Sequence, residues 1–208
     1  MIAIVDYDAG NIMSVQKACA YLGYQTILTR DRAEILQADH VILPGVGAFA
    51  DAMKKLVDFG LDETLRETVK RGIPLLGICL GLQLLFGRSD ESLALQDGAD
   101  VRGLCLLDGE ILKIDDKNGL LKVPHMGWNQ LSFPRESRLY QGIPDGTEVY
   151  FVHSYYLKAG NPSIVTATCE YGTQIDVGVE SDNLFACQFH PEKSGKWGLR
   201  ILENFLNI

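Results

Sequence analysis

A cysteine flanked by glycines is the residue of this sequence best suited to covalent chemistry. The stretch Gly77-Ile78-Cys79-Leu80-Gly81 follows an apolar run and precedes a leucine-rich one, which predicts a sharp turn from a strand into a helix. Small residues tolerate the strained backbone that holds a nucleophile outward at such a turn, and the helix N-terminus stabilises a thiolate. The N–H group of Leu80 is then a candidate oxyanion donor. A buried core cysteine is the alternative interpretation.

A histidine near the end of the chain could act as the base for that cysteine. It lies in Gln188-Phe189-His190-Pro191-Glu192, directly after a β-like run and before the last predicted helix. His190 can take the thiol proton, and Glu192 can bind the far ring nitrogen and so fix the tautomer. The tripeptide from His190 to Glu192 is by itself more typical of a turn. Beside the cysteine motif, it predicts a nucleophile, a base and an orienting acid.

A third motif, Pro44-Gly45-Val46-Gly47, follows another predicted strand and could supply a second oxyanion donor. Glycines allow the peptide to reorient, so that the N–H of Val46 or Gly47 can face a tetrahedral intermediate. A plain β-turn is the alternative until the other two motifs are considered with it. The three motifs together predict a cysteine nucleophile with a base, an orienting acid and donors for an oxyanion.

The elements that must position these motifs are indicated by alternating apolar runs and amphipathic stretches in the first half. Strands are predicted at 2–5, 25–29, 40–43 and 73–78, and helices at 11–22, 32–37, 49–71 with a break at Gly60, and 80–86. Shorter alternating runs from 104 to about 188 predict mostly β structure with antiparallel pairs, before a closing helix at 197–206. This order is typical of an α/β fold with helices on both faces of a sheet.

The composition favours a globular, acidic protein of one domain spanning 1–208. A net charge of −8 and the lack of a dense basic run argue against a nucleic-acid-binding surface. No apolar run approaches the roughly 20 residues of a membrane span, and the N-terminus lacks the basic flank of a signal peptide, so we expect a cytosolic protein. The five cysteines include no C-x-x-C pair, and we expect the four other than Cys79 to fill the core, namely Cys19, Cys105, Cys169 and Cys187.

Along its whole length the sequence resembles the class I glutamine amidotransferases. The resemblance depends on residues 77–86, which begin with the cysteine motif, and on residues 188–194, which begin with the histidine motif. Three further stretches, 6–11, 44–49 and 124–129, point to the subfamily that serves histidine biosynthesis. Other members usually have a Gly-Gly pair where this chain has Pro44-Gly45, which also favours that subfamily. The resemblance implies a flavodoxin-like three-layer sandwich with a central, mostly parallel sheet and added antiparallel strands.

The resemblance also implies roles for individual residues. Cys79 would be the nucleophile, His190 the base and acid, and Glu192 its orienter. Gln83 and Glu91 match positions that hold the carboxylate or amino end of glutamine. The backbone of His153, Ser154 and Tyr155 matches a segment that also binds the substrate in the family. From the residues alone, Gln83 is an ordinary helix residue, Glu91 a solvated surface charge and His153 a structural histidine.

The resemblance to the histidine-pathway subfamily implies a heterodimer with a (β/α)₈-barrel cyclase, to which ammonia would pass without release into water. Asn11, Trp128, Tyr150 and Lys193 match positions near that interface. No cofactor and no metal is expected. The chain departs from the common pattern at Asp8, where relatives often carry glycine, and in 92–101, which looks longer than usual.

Other functions remain as alternatives. The same glutaminase chemistry could serve another acceptor, such as the partner of a sugar amidotransferase. A cysteine peptidase on the same fold would have no use for Gln83 and Glu91 and would need no partner. A flavodoxin-like binding module would leave Cys79 unreactive toward an alkylating glutamine analogue.

Overall fold

The computed structural model describes residues 1–8, 12–93 and 101–208. The strands within these ranges are β1 (Ile2–Val5), β2 (Thr26–Thr29), β3 (His40–Gly45), β4 (Leu75–Cys79), β5 (Arg88–Ser89), β6 (Gly109–Lys113), β7 (His125–Gln130), β8 (Glu148–His153), β9 (Tyr155–Ala159), β10 (Val165–Glu170), β11 (Gln174–Ser181) and β12 (Leu184–Cys187). The helices are α1 (Ile12–Tyr21), α2 (Arg32–Leu36), α3 (Phe49–Asp58), α4 (Leu61–Lys70), α5 (Leu80–Leu84), α6 (Asp90–Leu93) and α7 (Gly195–Leu206), with 3₁₀ turns at Pro162–Ile164 and Pro191–Lys193.

One large mixed sheet organises the described part of the chain. Its strands run in the order β2-β1-β3-β4-β12-β11-β9-β6-β5, and β10 pairs with β11 outside this path. The pairs from β2 to β12 are parallel, whereas β11 is antiparallel to β12, β9 and β10. Strands β7 and β8 form a separate antiparallel ribbon. The mostly parallel sheet with added antiparallel strands confirms the predicted fold class.

The helices cover both faces of this sheet because the central strands are apolar on both sides. Ala3 and Val5 pack into one buried cluster with residues of α2 to α5, and Ile2 and Ile4 pack into another with residues of α1 and α7. Successive side chains of a strand point to opposite faces, so the two clusters lie on opposite sides of the sheet. The result is the three-layer arrangement expected from the sequence. None of the helices in the described ranges has the length and apolar character that crossing a bilayer requires.

Local signals explain where several elements begin and end. The carboxylate of Asp31 accepts hydrogen bonds from the N–H groups of Ala33 and Glu34 and so caps α2. Gly60 adopts a left-handed conformation with φ of 67° between α3 and α4, which confirms the predicted break. Helix α5 is shorter than predicted, because after Leu84 the chain tightens into i to i−3 hydrogen bonds.

Strand β3 runs two residues further than expected, because Pro44 and Gly45 continue the parallel pairing with β4. The expectation for Cys105 was wrong, since its side chain is exposed. The flanking amides of Leu104 and Leu106 donate to the carbonyls of Leu84 and Leu85. Leu104 is fully buried by this alignment, and the residue after it faces outward.

Close backbone contacts hold the turn between β4 and α5 in place. A Cβ atom on Gly77 would lie 2.7 Å from the carbonyl oxygen of Gly81, and a Cβ on Gly81 would overlap the carbonyl oxygen of Leu43 in β3. A Cβ on Gly45 would lie 2.5 Å from the hydroxyl of Tyr7. These glycines are therefore required by packing and not only by backbone freedom.

A pair of buried histidines fixes the β7–β8 ribbon. Nδ1 of His153 lies 2.8 Å from the carbonyl oxygen of Tyr155 and must donate to it, so its Nε2 accepts from Nδ1 of His125 at 2.9 Å. Nε2 of His125 then accepts from the side-chain amide of Asn129 at 3.3 Å. Burial lowers the pKa of His125 to about 4 and that of His153 to about 3, where the charge of His125 adds to the effect. Both rings are therefore neutral near pH 7.

Replacing Gly81 by alanine should destabilise the fold strongly, because the new methyl group has no space beside β3. We expect Gly81→Ala to lower the free energy of unfolding by about 3 kcal/mol, the upper range for overpacking. Gly23→Ala is the matched control: φ is 88° there and no atom lies within 4 Å of the new Cβ. It should cost about 1 kcal/mol. Urea unfolding measures both, and equal losses would contradict the packing argument.

The neutral histidine pair predicts a loss of stability in mild acid. Below the ordinary histidine pKa of 6.5, the two histidines take up protons in the unfolded chain but stay neutral in the folded protein. The free energy of unfolding therefore falls as the pH falls from 7 toward 4. At pH 5 each histidine should account for about 2 kcal/mol of this loss. In His125→Gln, whose amide can still donate to His153, the fall between pH 7 and pH 5 should be about 2 kcal/mol smaller. Identical pH profiles from urea titrations would show that the folded protein protonates His125 as readily as the unfolded chain does.

Candidate active site

The predicted nucleophile and base meet at the carboxyl edge of the parallel strands. Cys79 is the last residue of β4, and β12 lies beside β4 in parallel, with Cys187 opposite Ile78. The chain leaving β12 therefore reaches His190 next to the turn that carries Cys79. Ligands of open α/β sheets bind at this edge, because loops from several strands converge there.

Cys79 has the strained backbone of a nucleophile turn. Its φ of 56° and ψ of −110° lie outside the regions that L-residues ordinarily occupy. The residue is only 6% exposed. Its sulfur lies 3.6 Å from the side-chain nitrogen of Gln188 and 3.9 Å from the carbonyl oxygen of Val152. The thiol thus has a polar environment inside an otherwise apolar turn.

His190 and Glu192 form a buried pair. Nδ1 of His190 lies 2.8 Å from Oε1 of Glu192, and the two side chains are 2% and 0% exposed. Burial lowers the pKa of His190, but its interactions with Cys79 and Glu192 outweigh burial and raise the pKa to about 9. Nε2 makes no hydrogen bond of ordinary length within the described residues. That nitrogen is therefore available to exchange a proton at the cysteine.

The backbone holds this histidine in place from two sides. Its N–H donates to the carbonyl of Tyr150 at 2.9 Å, and its carbonyl accepts from the hydroxyl of Ser194 at 2.6 Å. The same hydroxyl accepts from the N–H of Tyr150 at 2.9 Å. The backbone of His190 is thus tied to β8, while its ring is oriented by Glu192.

A cavity of about 350 Å³ opens beside the cysteine. It brings together nine of the residues singled out in the sequence and adds Pro124 and Val152; the nine are Val46, Gly47, Cys79, Leu80, Gln83, Glu91, His153, Ser154 and Tyr155. Residues more than 100 positions apart in the chain therefore line one site. A cavity of this size suits a small amino acid better than a peptide chain.

Gln83 and Glu91 both have specific partners in this cavity. The amide nitrogen of Gln83 lies 3.1 Å from the carbonyl oxygen of Tyr155 and 3.1 Å from Oε1 of Gln188. Oε2 of Glu91 accepts from the N–H of Phe49 at 2.8 Å, at the start of α3. Gln83 is buried and Glu91 half-buried, so neither is a freely solvated surface residue.

The candidate oxyanion donors lie on two sides of the cavity. Leu80 is the first residue of α5, so its N–H has no acceptor within the helix. Val46 and Gly47 follow β3 and are exposed, and Gly47 has φ of 106° with no atom within 4 Å of the place where a Cβ would lie. The peptide between Val46 and Gly47 therefore has space to rotate.

The third wall of the cavity contains His153, Ser154 and Tyr155. His153 is committed to His125 and to the Tyr155 carbonyl, so it has no free nitrogen with which to act as a base. The carbonyl of Ser154 accepts from the N–H of Ile114 at 2.9 Å. This wall is thus held by hydrogen bonds on both sides.

Three of the four residues expected at the partner interface form one cluster. Trp128 is 55% exposed and faces Tyr150 across the β7–β8 ribbon, with ring centroids 6.1 Å apart at 73°. The ammonium of Lys193 lies 6.0 Å from the centroid of the Tyr150 ring. Asn11 lies outside the described residues.

Two residues that the sequence did not single out contact the site. Gln188 is fully buried and reaches the cysteine sulfur. Tyr7 donates to the carbonyl of Pro44 at 2.9 Å and so supports the end of β3 from below. Both lie within the motifs that carry the family resemblance, yet only the folded chain shows what their side chains contact.

Asp8 departs from the family pattern without losing the backbone shape. Its φ is 58°, the left-handed region that glycine enters without strain and aspartate tolerates. Its carboxylate lies 2.6 Å from the guanidinium of Arg30, which also binds Asp6 at 2.8 Å. Lys55 donates to the Asp8 carbonyl at 2.8 Å. The other departure, the segment 92–101, lies mostly outside the described residues.

Comparison with known proteins identifies relatives over the whole chain. The model of the family Glutamine amidotransferase class-I matches residues 3–208. The chain is 54% identical to imidazole glycerol phosphate synthase subunit HisH of Moorella thermoacetica, over 98% of this chain and 93% of the relative. It is 50% identical to the protein of the same name from Bacillus cereus, over 100% and 95%.

Solved structures share the architecture at much lower identity. A crystal structure described as glutamine amidotransferase superposes with a TM-score of 0.74 at 19% identity, covering 100% of this chain and 98% of that one. The Trypanosoma brucei CTPS glutaminase domain with bound acivicin gives 0.68 at 16%, covering 99% and 93%. These two establish the fold, and the family model establishes the relationship. The chain belongs to the class I glutamine amidotransferases.

Proposed function

We propose that the chain is the glutaminase subunit of imidazole glycerol phosphate synthase and works in the cytoplasm. It would hydrolyse glutamine and deliver the ammonia to a cyclase subunit with a (β/α)₈ barrel. The observation that carries this proposal is the convergence of Cys79, the His190–Glu192 pair and one small cavity. The relatives of this name at 50% identity and above supply the pathway.

The first half-reaction forms a thioester. The thiolate of Cys79 attacks the side-chain carbonyl carbon of glutamine, and a sulfur–carbon bond forms as the carbonyl electrons move onto oxygen. The N–H of Leu80 and that of Val46 or Gly47 stabilise the oxyanion. His190, protonated because its pKa is about 9, gives its proton to the amide nitrogen. The carbon–nitrogen bond then breaks and ammonia departs.

The second half-reaction hydrolyses the thioester. His190 is now neutral and takes a proton from water as the water oxygen attacks the carbonyl carbon. The carbon–sulfur bond breaks, glutamate leaves and the Cys79 thiolate is restored beside a protonated His190. Glu192 holds Nδ1 throughout, which keeps Nε2 directed at the reacting atoms.

Gln83 and Glu91 suit the ammonium end of the substrate better than its carboxylate end. Both N–H groups of the Gln83 amide are engaged by oxygen acceptors, so only its Oε1 is left to bind a ligand. Glu91 likewise offers a carboxylate oxygen, and both residues line the cavity. Two acceptors, one of them charged, attract a cation and repel a carboxylate.

The exposed cluster of Trp128, Tyr150 and Lys193 is the proposed contact with the cyclase. An exposed tryptophan beside a tyrosine and a lysine has the composition of interface hot spots. The N–H of His190 is bonded to the carbonyl of Tyr150, so this surface lies directly behind the catalytic histidine. A partner docked there would sit next to the source of ammonia.

Replacing Cys79 by alanine should abolish glutamine-dependent turnover, because no thioester can form. We expect glutamate release by the complex with the cyclase and its ribonucleotide substrate to fall by more than about 10³-fold, as for other covalent nucleophiles. Turnover with added ammonia should be unchanged. Cys105→Ala, the same change at an exposed cysteine, is the matched control and should retain full activity. Glutamine-dependent turnover by Cys79→Ala would exclude Cys79 as the nucleophile.

The wild-type arm of this assay identifies the acceptor. Strong stimulation of glutamate release by the cyclase and its substrate supports the histidine pathway. Hydrolysis that the cyclase leaves unchanged keeps the glutaminase chemistry and points to another acceptor, such as a sugar amidotransferase partner.

Truncating Trp128 should weaken binding to the cyclase. Loss of a central aromatic contact raises Kd by about 30-fold in typical interfaces, and we expect that for Trp128→Ala. Tyr21→Ala is the matched control, since Tyr21 is 79% exposed and ends α1 toward the amino ends of the parallel strands β1 and β2, away from the carboxyl edge that holds the site. Its Kd, measured by titration calorimetry, should not change. Equal Kd values for wild type and Trp128→Ala would place the interface elsewhere.

A further inference from the structure

We propose that Gln188 is a further catalytic residue, whose side-chain amide donates a hydrogen bond to the sulfur of Cys79 during the reaction. Nε2 of Gln188 lies 3.6 Å from the sulfur. The side chain is fully buried and is not part of the cavity wall. It therefore contacts the reacting atom from behind, where the substrate does not reach.

The orientation of the Gln188 amide follows from its neighbours. The carbonyl oxygen of Tyr155 can only accept, so the end of the Gln83 amide that faces it at 3.1 Å must be NH₂. The same NH₂ group lies 3.1 Å from the other amide, and the atom it meets must be the oxygen of Gln188. The NH₂ group of Gln188 is then left to face the sulfur. The carbonyl of Tyr155 thus fixes the orientation of both side-chain amides.

A donor in this position favours the charged form of the sulfur. The thiolate accepts hydrogen bonds much better than a thiol or a thioester, because it carries a full negative charge. Gln188 therefore stabilises Cys79 before attack and again when sulfur leaves the thioester. It also restrains the sulfur between Gln188 and His190, so that the lone pair stays directed at the cavity.

The donor acts on the chemical step and not on substrate binding. Gln188 does not line the cavity, whereas Gln83 does and also orients the Gln188 amide. Loss of Gln188 should therefore lower kcat and leave KM nearly unchanged. Loss of Gln83 should affect both constants, because it removes part of the cavity wall and leaves the Gln188 amide free to rotate.

Two variants test this role in the complex with the cyclase and its ribonucleotide substrate. Gln188→Met removes the donor, and Gln188→Glu keeps the length and the acceptor for Gln83 but presents oxygen to the sulfur. We expect kcat for glutamate release to fall about 10-fold to 100-fold in both, the range for a hydrogen bond to a charged group. KM should stay within about 3-fold, as expected for an interaction made only with the reacting atom. The rate of Cys79 alkylation by a glutamine analogue should fall in parallel, and its pH profile should move to higher pH.

A buried residue remote from the site provides the control for packing. Thr166 on β10 is fully buried, and its hydroxyl has no hydrogen-bond partner within the described residues. Strand β11 separates it from β12. Thr166→Val, also a change from a buried polar to an apolar side chain, should leave kcat, KM and alkylation unchanged. Thermal unfolding of all variants checks that they are folded.

The inference rests on the proposed role of Cys79, and the two can fail separately. If Cys79→Ala is inactive but the Gln188 variants keep kcat and alkylation rates within about 3-fold, Gln188 has no catalytic role. If Cys79→Ala retains glutaminase activity, Cys79 is not the nucleophile and the proposed role of Gln188 fails with it. Should neither Gln188 variant fold, the wild type decides: alkylation of Cys79 should shift the side-chain amide resonances of ¹⁵N-labelled Gln188. An absence of any shift would overturn the proposal.

Discussion

The backbone of one residue, Cys79, is the constraint on which the rest of the site depends. Its φ of 56° is unfavourable for a residue with a side chain and costs about 1–3 kcal/mol, so it persists only because the surroundings impose it. They do so through the pairing of Gly45 with Cys79 across β3 and β4, and through the close contact of Gly81 with Leu43. The nucleophile is thus held outward by sheet pairing and backbone contact, at positions where no side chain other than hydrogen fits.

Two histidines within this site have opposite properties because their partners differ. His190 faces a carboxylate and a thiol, which favour its charged form against the effect of burial and raise its pKa to about 9. His153 faces a backbone carbonyl and a second histidine, which cannot offset burial, and its pKa falls to about 3. The ring of His190 can therefore carry a proton through the reaction, whereas the ring of His153 stays neutral and has a structural role. Burial alone does not distinguish these roles, since both residues are almost inaccessible.

The sequence predicted the parts of the fold and the site that depend on short-range patterns. The apolar strands, the glycine turn at Cys79 and the spacing of His190 and Glu192 are visible within a few residues. Contacts between distant segments were not predictable: Gln188 meets Gln83 105 positions away, and His125 meets His153 28 positions away. Cys105 was wrongly assigned to the core because its exposure depends on how its neighbours align with Leu84 and Leu85 at the end of α5, which residue type does not reveal.

The walls of the cavity differ in their capacity to move. The carbonyl of Tyr155 accepts hydrogen bonds from both His153 and Gln83, at 2.8 and 3.1 Å. Rotating that peptide would therefore break both bonds, which orient the histidine pair and the two glutamine amides. On the facing side, Gly47 has no atom within 4 Å of the position a Cβ would occupy and its peptide is exposed. The rearrangement proposed to complete the oxyanion site would therefore cost least at Gly47, while the Tyr155 wall keeps the Gln83 and Gln188 amides aligned beside the sulfur. In the proposed mechanism, that oxyanion donor could change its orientation without disturbing the nucleophile.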